Sequence, residues 1–253
     1  MKIAVCQVNP IVGDFSYNVD KVQTYYDRAI QSGAELVIFP EMVVCGYPPQ
    51  DLIWENGFVS ACESSIQTIA SFSKIPLIAG FIRKEKNKIF NSAALCMNGE
   101  IVFIYDKMLL PTYDVFDEDR YFSPGKNVGL TEVDIGGRPK KIGIQICEDL
   151  WDMDYELKVT NELAQRGAQM IINISASPFH DEQPQIRKTL IEEKIRETNT
   201  HFIYCNLVGA QDELIFDGNS VVYNNNGEVI GSGQSFSEDL VIVNMDSTNI
   251  ISE

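Results

Sequence analysis

The stretch Lys141-Ile142-Gly143-Ile144-Gln145-Ile146-Cys147-Glu148-Asp149-Leu150-Trp151 alternates apolar and polar side chains up to Ile146, then turns abruptly to a thiol and two acids. Such alternation predicts a strand. It places Cys147 at the strand's carboxyl end, where open α/β sheets carry their chemistry. A merely structural cysteine is rarely flanked by charge, because burying it would draw the carboxylates inward. The same acids oppose a thiolate, and a free thiol of pKa about 8.5 is only slightly ionised at pH 7. If Cys147 is a nucleophile, a base and a cation must come from elsewhere in the chain.

Outward from this stretch, strand-like and helix-like segments alternate, which predicts an α/β protein. Residues 2–8 read as a strand. Residues 16–32 read as a helix, with Val19, Val22, Tyr26, Ala29 and Ile30 at helical spacing and Gly33 just past the end. Leu36-Val37-Ile38-Phe39 is a short buried strand closed by Pro40. Strands follow near 76–82, 89–97 and 100–106, with turn chemistry at Asn98-Gly99. A helix near 155–166 ends at Gly167, 170–174 is a strand, and a helix covers about 184–199. Several short strands fill 201–244. The two halves share a faint repeat. Lys2-Ile3-Ala4-Val5 parallels Lys141-Ile142-Gly143-Ile144, and Gly33-Ala34-Glu35-Leu36-Val37-Ile38 parallels Gly167-Ala168-Gln169-Met170-Ile171-Ile172. Glu41, Cys147 and the Ser175–Ser177 segment then all fall just beyond strand carboxyl ends and are expected to share one rim. No linker-like stretch interrupts the chain, so residues 1–253 are read as one domain.

Composition narrows the classes. Of 253 residues, 36 are acidic and 20 basic, a net charge of −16 that repels nucleic acid and anionic lipid. No apolar run reaches the ~18 residues of a membrane span, and Met1-Lys2-Ile3-Ala4-Val5 enters a strand rather than a signal peptide. The six cysteines (6, 45, 62, 96, 147, 205) form no CxxC pair, so no disulfide framework or zinc site is expected, and a reducing cytoplasm is the simplest setting. With only His180 and His201, a three-histidine metal site is excluded and no metal is expected. His201 reads as a strand-edge residue and His180 as part of a polar loop, either of which a Cys–His mechanism would need.

Two other residues attract attention. Glu41, a lone acid between an apolar strand and an apolar segment, is either a desolvated general base or a carboxylate capping a nearby turn. Lys107 is the only base between 101 and 119. It is either the missing cation, favouring a thiolate or an oxyanion, or a surface lysine paired with Asp106. The aromatic and acidic run that follows, Tyr113-Asp114-Val115-Phe116-Asp117-Glu118-Asp119-Arg120-Tyr121-Phe122, suits a pocket wall or a subunit interface.

Five stretches together carry a resemblance: PEMVVCGYPPQDL (40–52), DKMLLPTYDVFDEDRYFSPG (106–125), ICEDLW (146–151), NISASPF (173–179) and GAQDELIFDGNS (209–220). The chain resembles the nitrilase (carbon–nitrogen hydrolase) superfamily, and within it the glutaminase domains of glutamine-dependent NAD(+) synthetases. The resemblance implies a four-layer α-β-β-α sandwich. It implies Glu41 as general base, Lys107 as the cation and Cys147 as nucleophile attacking the side-chain amide of L-glutamine. Lys107 and the backbone N–H of Glu148 would hold the oxyanion, with Glu118 as a supporting acid orienting Lys107. Tyr113, Ser177 and Arg187 would bind substrate. Glutamate and ammonia would be the products, released through a Cys147 thioester.

The match has departures. Relatives often carry Gly-Lys where this chain has Glu182-Gln183, although Arg187 keeps its offset. No SGGxDS phosphate loop occurs, so an ATP-dependent synthetase domain is absent from this chain, and with it the need for ATP and Mg. The chain reads as an excised domain or a separate ammonia-supplying subunit that needs no cofactor for hydrolysis. Expected partners are glutamine, a synthetase domain or subunit that takes the ammonia, and further copies of the chain. An amidase acting on an ω-amide or N-carbamoyl compound and a catalytically silent docking domain are the alternatives.

Overall fold

In the computed structural model, which describes residues 1–113 and 116–246, the first strand already sets the layering. β1 (Lys2–Gln7) turns Ile3 and Val5 to one face and Ala4 and Cys6 to the other, and all four are buried. A strand buried on both faces belongs inside a multilayer protein. It is followed by α1 (Phe15–Gln31), β2 (Leu36–Ile38), α2 (Phe58–Phe72), β3 (Leu77–Glu85), β4 (Lys88–Met97) and β5 (Glu100–Asp106). β6 (Gly129–Ile135) precedes β7 (Arg138–Ile146), α3 (Val159–Gln165), β8 (Met170–Ser175), α4 (Gln183–Thr198) and β9 (His201–Asn206). The remaining strands are β10 (Val208–Gln211), β11 (Leu214–Asp217), β12 (Val221–Tyr223), β13 (Val229–Ser232) and β14 (Asp239–Asn244).

Two six-stranded sheets result, ordered β14-β1-β2-β3-β4-β5 and β6-β7-β8-β9-β12-β13, with β10-β11 as a separate hairpin. From these ends, each sheet runs antiparallel, parallel, parallel, antiparallel, antiparallel. The faint sequence repeat therefore marks a real duplication, β1-α1-β2-α2-β3 against β7-α3-β8-α4-β9. Its edge strands are crossed over: β6 follows the first half in sequence but joins the second sheet, and β14 follows the second half but joins the first.

The inner faces meet in a layer of Ile3, Val5, Leu36 and Ile38 against Ile142, Ile144, Ile172 and Ile203. The outer face of the first sheet packs under Val22, Tyr26, Cys62 and Ile66 of α1 and α2. The outer face of the second packs under Leu163, Leu190 and Ile195 of α3 and α4. The architecture is the four-layer α-β-β-α sandwich. Among the described residues no helix is long and apolar enough to cross a membrane.

Local chemistry explains the boundaries. Asp14 Oδ1 accepts the N–H of Tyr17 at 3.0 Å and starts α1, and Gly33, at φ +78°, ends it where a side chain would be strained. Asn98 and Gly99 both have positive φ (54° and 86°), as a two-residue hairpin between β4 and β5 requires. The helix expected near 155–166 begins only at Val159, because 147–154 is taken up by two 3₁₀ turns. α2 and β6 are additions to the elements expected from the sequence.

Candidate active site

Glu41 follows β2 and is held over β3. Gly80 of β3 donates its N–H to Pro40 O and accepts the N–H of Val44. A Cβ on Gly80 would stand 2.3 Å from Met42 N and 2.6 Å from the Glu41 Cα, so only glycine lets the segment lie this close. Gly80→Ala is therefore expected to displace Glu41 and reduce turnover by ~10²-fold, the usual cost of an ångström-scale misplacement. Overpacking should also lower stability by about 1–3 kcal/mol. Steady-state kinetics beside a thermal melt would check both.

The Glu41 carboxylate is fully buried. Its Oε1 accepts Asn91 Nδ2 at 2.7 Å and Lys107 Nζ at 3.1 Å, and its Oε2 accepts the N–H of Ala176 at 2.7 Å. Glu41 is thus desolvated, and it also holds the first N–H after β8, as the capping reading expects.

Lys107 is 1% exposed, and the reading of it as a surface partner of Asp106 is overturned. Asp106 instead receives Arg83 Nε and Nη2 (2.7 and 2.6 Å) and Ser92 Oγ. Lys107 Nζ lies between Glu41 and Glu118, donating to both Glu118 oxygens at 3.0 and 2.8 Å. Tyr47 Oη supports Glu118 from the far side at 3.1 Å. Burial alone would lower the Lys107 pKa, but the carboxylates of Glu118 and Glu41 outweigh it and hold the ammonium well above its ordinary value.

Cys147 follows β7 at φ +42°, a left-handed backbone that side chains seldom adopt, at the start of a one-turn 3₁₀ segment. The first N–H groups of such a turn have no partner within it. Asn173 Nδ2 holds the Cys147 carbonyl at 3.4 Å. Burial, then the Glu41 carboxylate, pushes the thiol well above its usual pKa, while Lys107 pulls it down. Burial and the carboxylate both favour the neutral thiol, so a base that takes its proton during attack would suit this site.

The two acids after Cys147 are drawn inward with it. Glu148 is 3% exposed and Asp149 fully buried, and both are hydrogen-bonded there. Tyr113 and Tyr155 donate their hydroxyls to Glu148 at 2.9–3.0 Å. Burial still pushes the Glu148 carboxyl up to about 7. Asp149 accepts from the N–H groups of Ile146, Met108 and Leu109 and from Tyr105 Oη.

Ser177 follows β8, and its hydroxyl accepts Arg187 Nη2 and Gln183 Nε2, both at 3.4 Å. Arg187 is anchored by Asp217 through two 3.2 Å bonds, so it stands behind Ser177. Gln183 turns to the same hydroxyl. A cavity of about 190 Å³ opens beside Tyr47, Phe116, Glu118 and Leu214. A larger one, about 590 Å³, lies by the β3–β4 hairpin among Arg83, Lys86, Phe90 and Lys126 and is lined by none of Glu41, Lys107, Glu118 and Cys147. Tyr113 is half exposed at the rim, while Asp114 and Val115 lie outside the described residues. His180 is exposed, and His201 opens β9, where burial lowers its pKa.

Tyr47, Asn91, Asp149 and Tyr155 were not singled out from the sequence. Tyr47 lay inside the GYPP stretch and Asp149 beside the cysteine. Asn91, an ordinary strand residue in sequence, gave no signal. Among the described residues no cluster of three or more histidine, cysteine or acidic side chains is arranged to hold a metal ion.

The carbon–nitrogen hydrolase family model matches residues 2–252. A glutamine-dependent NAD(+) synthetase of Thermotoga maritima is 38% identical over 97% of the chain, which spans 42% of that relative. The glutamine-dependent NAD(+) synthetase of Acinetobacter baumannii, solved with ADP, superposes with a TM-score of 0.87 at 33% identity, covering 95% of this chain and 44% of that one. An amidase of Nesterenkonia sp. superposes with a TM-score of 0.82 at 26% identity, covering 96% and 89%. A further structure of that amidase shows acrylamide added at its active-site cysteine. The chain thus spans less than half the length of the curated relatives it matches.

Proposed function

The chain belongs to the carbon–nitrogen hydrolase family, and from that premise we propose that it is a glutaminase module, hydrolysing L-glutamine to glutamate and ammonia for NAD(+) synthesis. One observation carries the reading: a lysine buried between two carboxylates lies within electrostatic reach of a buried cysteine at a strained strand end. In this mechanism Glu41 takes the thiol proton as Cys147 Sγ attacks the side-chain amide carbon. The oxyanion is met by the Lys107 ammonium and the Glu148 N–H, a type of donor worth about 2.7–4 kcal/mol. Glu41 returns the proton to the amide nitrogen and ammonia leaves. Glu41 then deprotonates water, hydroxide adds to the thioester, and the departing sulfur is reprotonated. Water and protein side chains complete the cycle without a cofactor. ATP and Mg would serve only a synthetase module.

The buried Glu148 carboxylate suits the α-ammonium group of an amino acid, with Tyr113 closing over it, and Ser177 backed by Arg187 suits the α-carboxylate. This favours glutamine over a plain amide. Receipt of the ammonia by a synthetase domain or subunit rests on the relatives' names. Assembly with further copies of the chain and a cytoplasmic setting belong to the same reading, the latter supported by six unpaired cysteines.

Ammonia release from L-glutamine, asparagine and N-carbamoyl amino acids tests the substrate, with glutamine expected to lead. A different preferred amide would replace glutamine. No turnover together with no Cys147 adduct from a diazo-ketone glutamine analogue would leave a docking domain. The charge of Glu148 gives a second check. Its folded-state pKa is raised to about 7, so acidification below that value neutralises it. kcat/KM for glutamine should fall on the acid side of pH 7, while an amide lacking the ammonium group keeps its rate. Glu148→Gln should erase this limb and cost about 10- to 100-fold in kcat/KM, the worth of one charged hydrogen bond.

A further inference from the structure

We propose that Asp149 is a positioning residue that fixes Lys107 relative to Cys147 across the two sheets, an inference that rests on the hydrolytic reading above. Lys107 follows β5 in one sheet and Cys147 follows β7 in the other. The two strands share no hydrogen-bonded ladder, so side chains must set the spacing of their ends. Asp149 does this with one rigid group. Its Oδ1 accepts the N–H groups of Met108 and Leu109 at 3.1 and 3.0 Å, the two peptides after Lys107. Its Oδ2 accepts the N–H of Ile146 at 2.9 Å, just before Cys147, and Tyr105 Oη at 2.8 Å.

Four donors converge on the four lone-pair sites of a carboxylate. No neutral side chain of the same size offers them: an asparagine would aim an N–H₂ at one or more of these donors. Asp149 makes no hydrogen bond to the Lys107 ammonium or to the Cys147 sulfur among the described contacts. Its influence passes through the backbone on either side of the gap. Two other carboxylates link the rims, Glu41 on the Ala176 N–H and Glu148 under Tyr113, but the first is assigned to the chemistry and the second to the substrate, which leaves Asp149 as the dedicated brace.

The test is a double-mutant cycle. Asp149→Asn is made in the parent and in a Lys107→Met/Glu118→Gln background, where the second change removes the carboxylate that the first would strand. Two quantities are read: alkylation of Cys147 by iodoacetamide, followed by intact mass, and kcat and KM for glutamine. In the parent, Asp149→Asn should lower kcat by ~10²-fold with KM unchanged, and should slow alkylation. In the lysine-less background it should slow alkylation no further. An equal loss in both backgrounds, or an unchanged parent kcat, overturns the proposal. If Asp149→Asn does not fold, Tyr105→Phe removes a single donor and enters the same cycle, with a smaller loss and the same non-additivity expected. Additive losses there overturn it equally. Alkylation is scored without glutamine, so a chain that proves inactive on glutamine still answers the question.

Discussion

Cys147→Ala is expected to abolish glutamine-dependent ammonia release, by at least ~10⁴-fold, because no other group can form the acyl intermediate. The fold should survive. The side chain is small, and the turn is held by Asp149 and Asn173 rather than by sulfur. Alanine keeps the unfavourable backbone at φ +42°, whereas glycine relieves it. Cys147→Gly should therefore be as inactive as Cys147→Ala and more stable than it by about 1 kcal/mol. Ammonia assays paired with thermal melts would check both halves. Turnover by Cys147→Ala within tenfold of the parent would remove the thiol from its role.

Lys107→Met should be nearly as damaging to activity and far more damaging to stability. Among the described residues the lysine is the only cation hydrogen-bonded to Glu41 and Glu118, both buried. Its removal leaves two carboxylates facing each other without a counter-charge, a change that costs about 3–5 kcal/mol for a buried pair. Cys147 loses a neighbour that lowers its pKa and should alkylate more slowly at neutral pH. The pH dependence has a definite sign. Glu118 already has its pKa raised, by burial first, and loses the opposing pull of Lys107 in the variant. A carboxyl whose folded pKa exceeds its unfolded value stabilises below the unfolded value, and that stability is lost as pH rises through the folded one. The variant should thus be closest to the parent in acid and fall away toward neutrality. Adding Glu118→Gln should restore stability but not turnover. A melt series from pH 4.5 to 8 would reveal this, and parallel curves for variant and parent would refute it.

Much of the site was legible because strand carboxyl ends are. Glu41, Cys147 and Ser177 each follow an apolar run, and the repeat of the two halves placed those runs side by side. Lys107 was not settled by its neighbours, because Asp106 is an obvious partner in sequence and is claimed by Arg83 only in space. The burial of Glu148 and Asp149 was not legible for a related reason. Most of their hydrogen-bond donors come from residues 105–113 and from Tyr155, and residue spacing does not reveal donors brought in from elsewhere in the chain. α2 was not read from the sequence, although Phe58, Cys62, Ile66 and Ile69 are helically spaced. β6 was not read either; it carries exposed Glu132 and Asp134 alternating with buried Val133 and Ile135.

The crossed-over edge strands tie the halves together more firmly than contact alone. Each half depends on the tail of the other to finish its own sheet, as in a pair of clasped hands. Neither can be lifted away without baring the flank of β1 or β7, the strands that open each unit. The acid and the amine come from one hand and the thiol from the other. The reactive gap is thus held by interlocked chain, and it closes only once the residues after 239 have come back to lie beside residue 2.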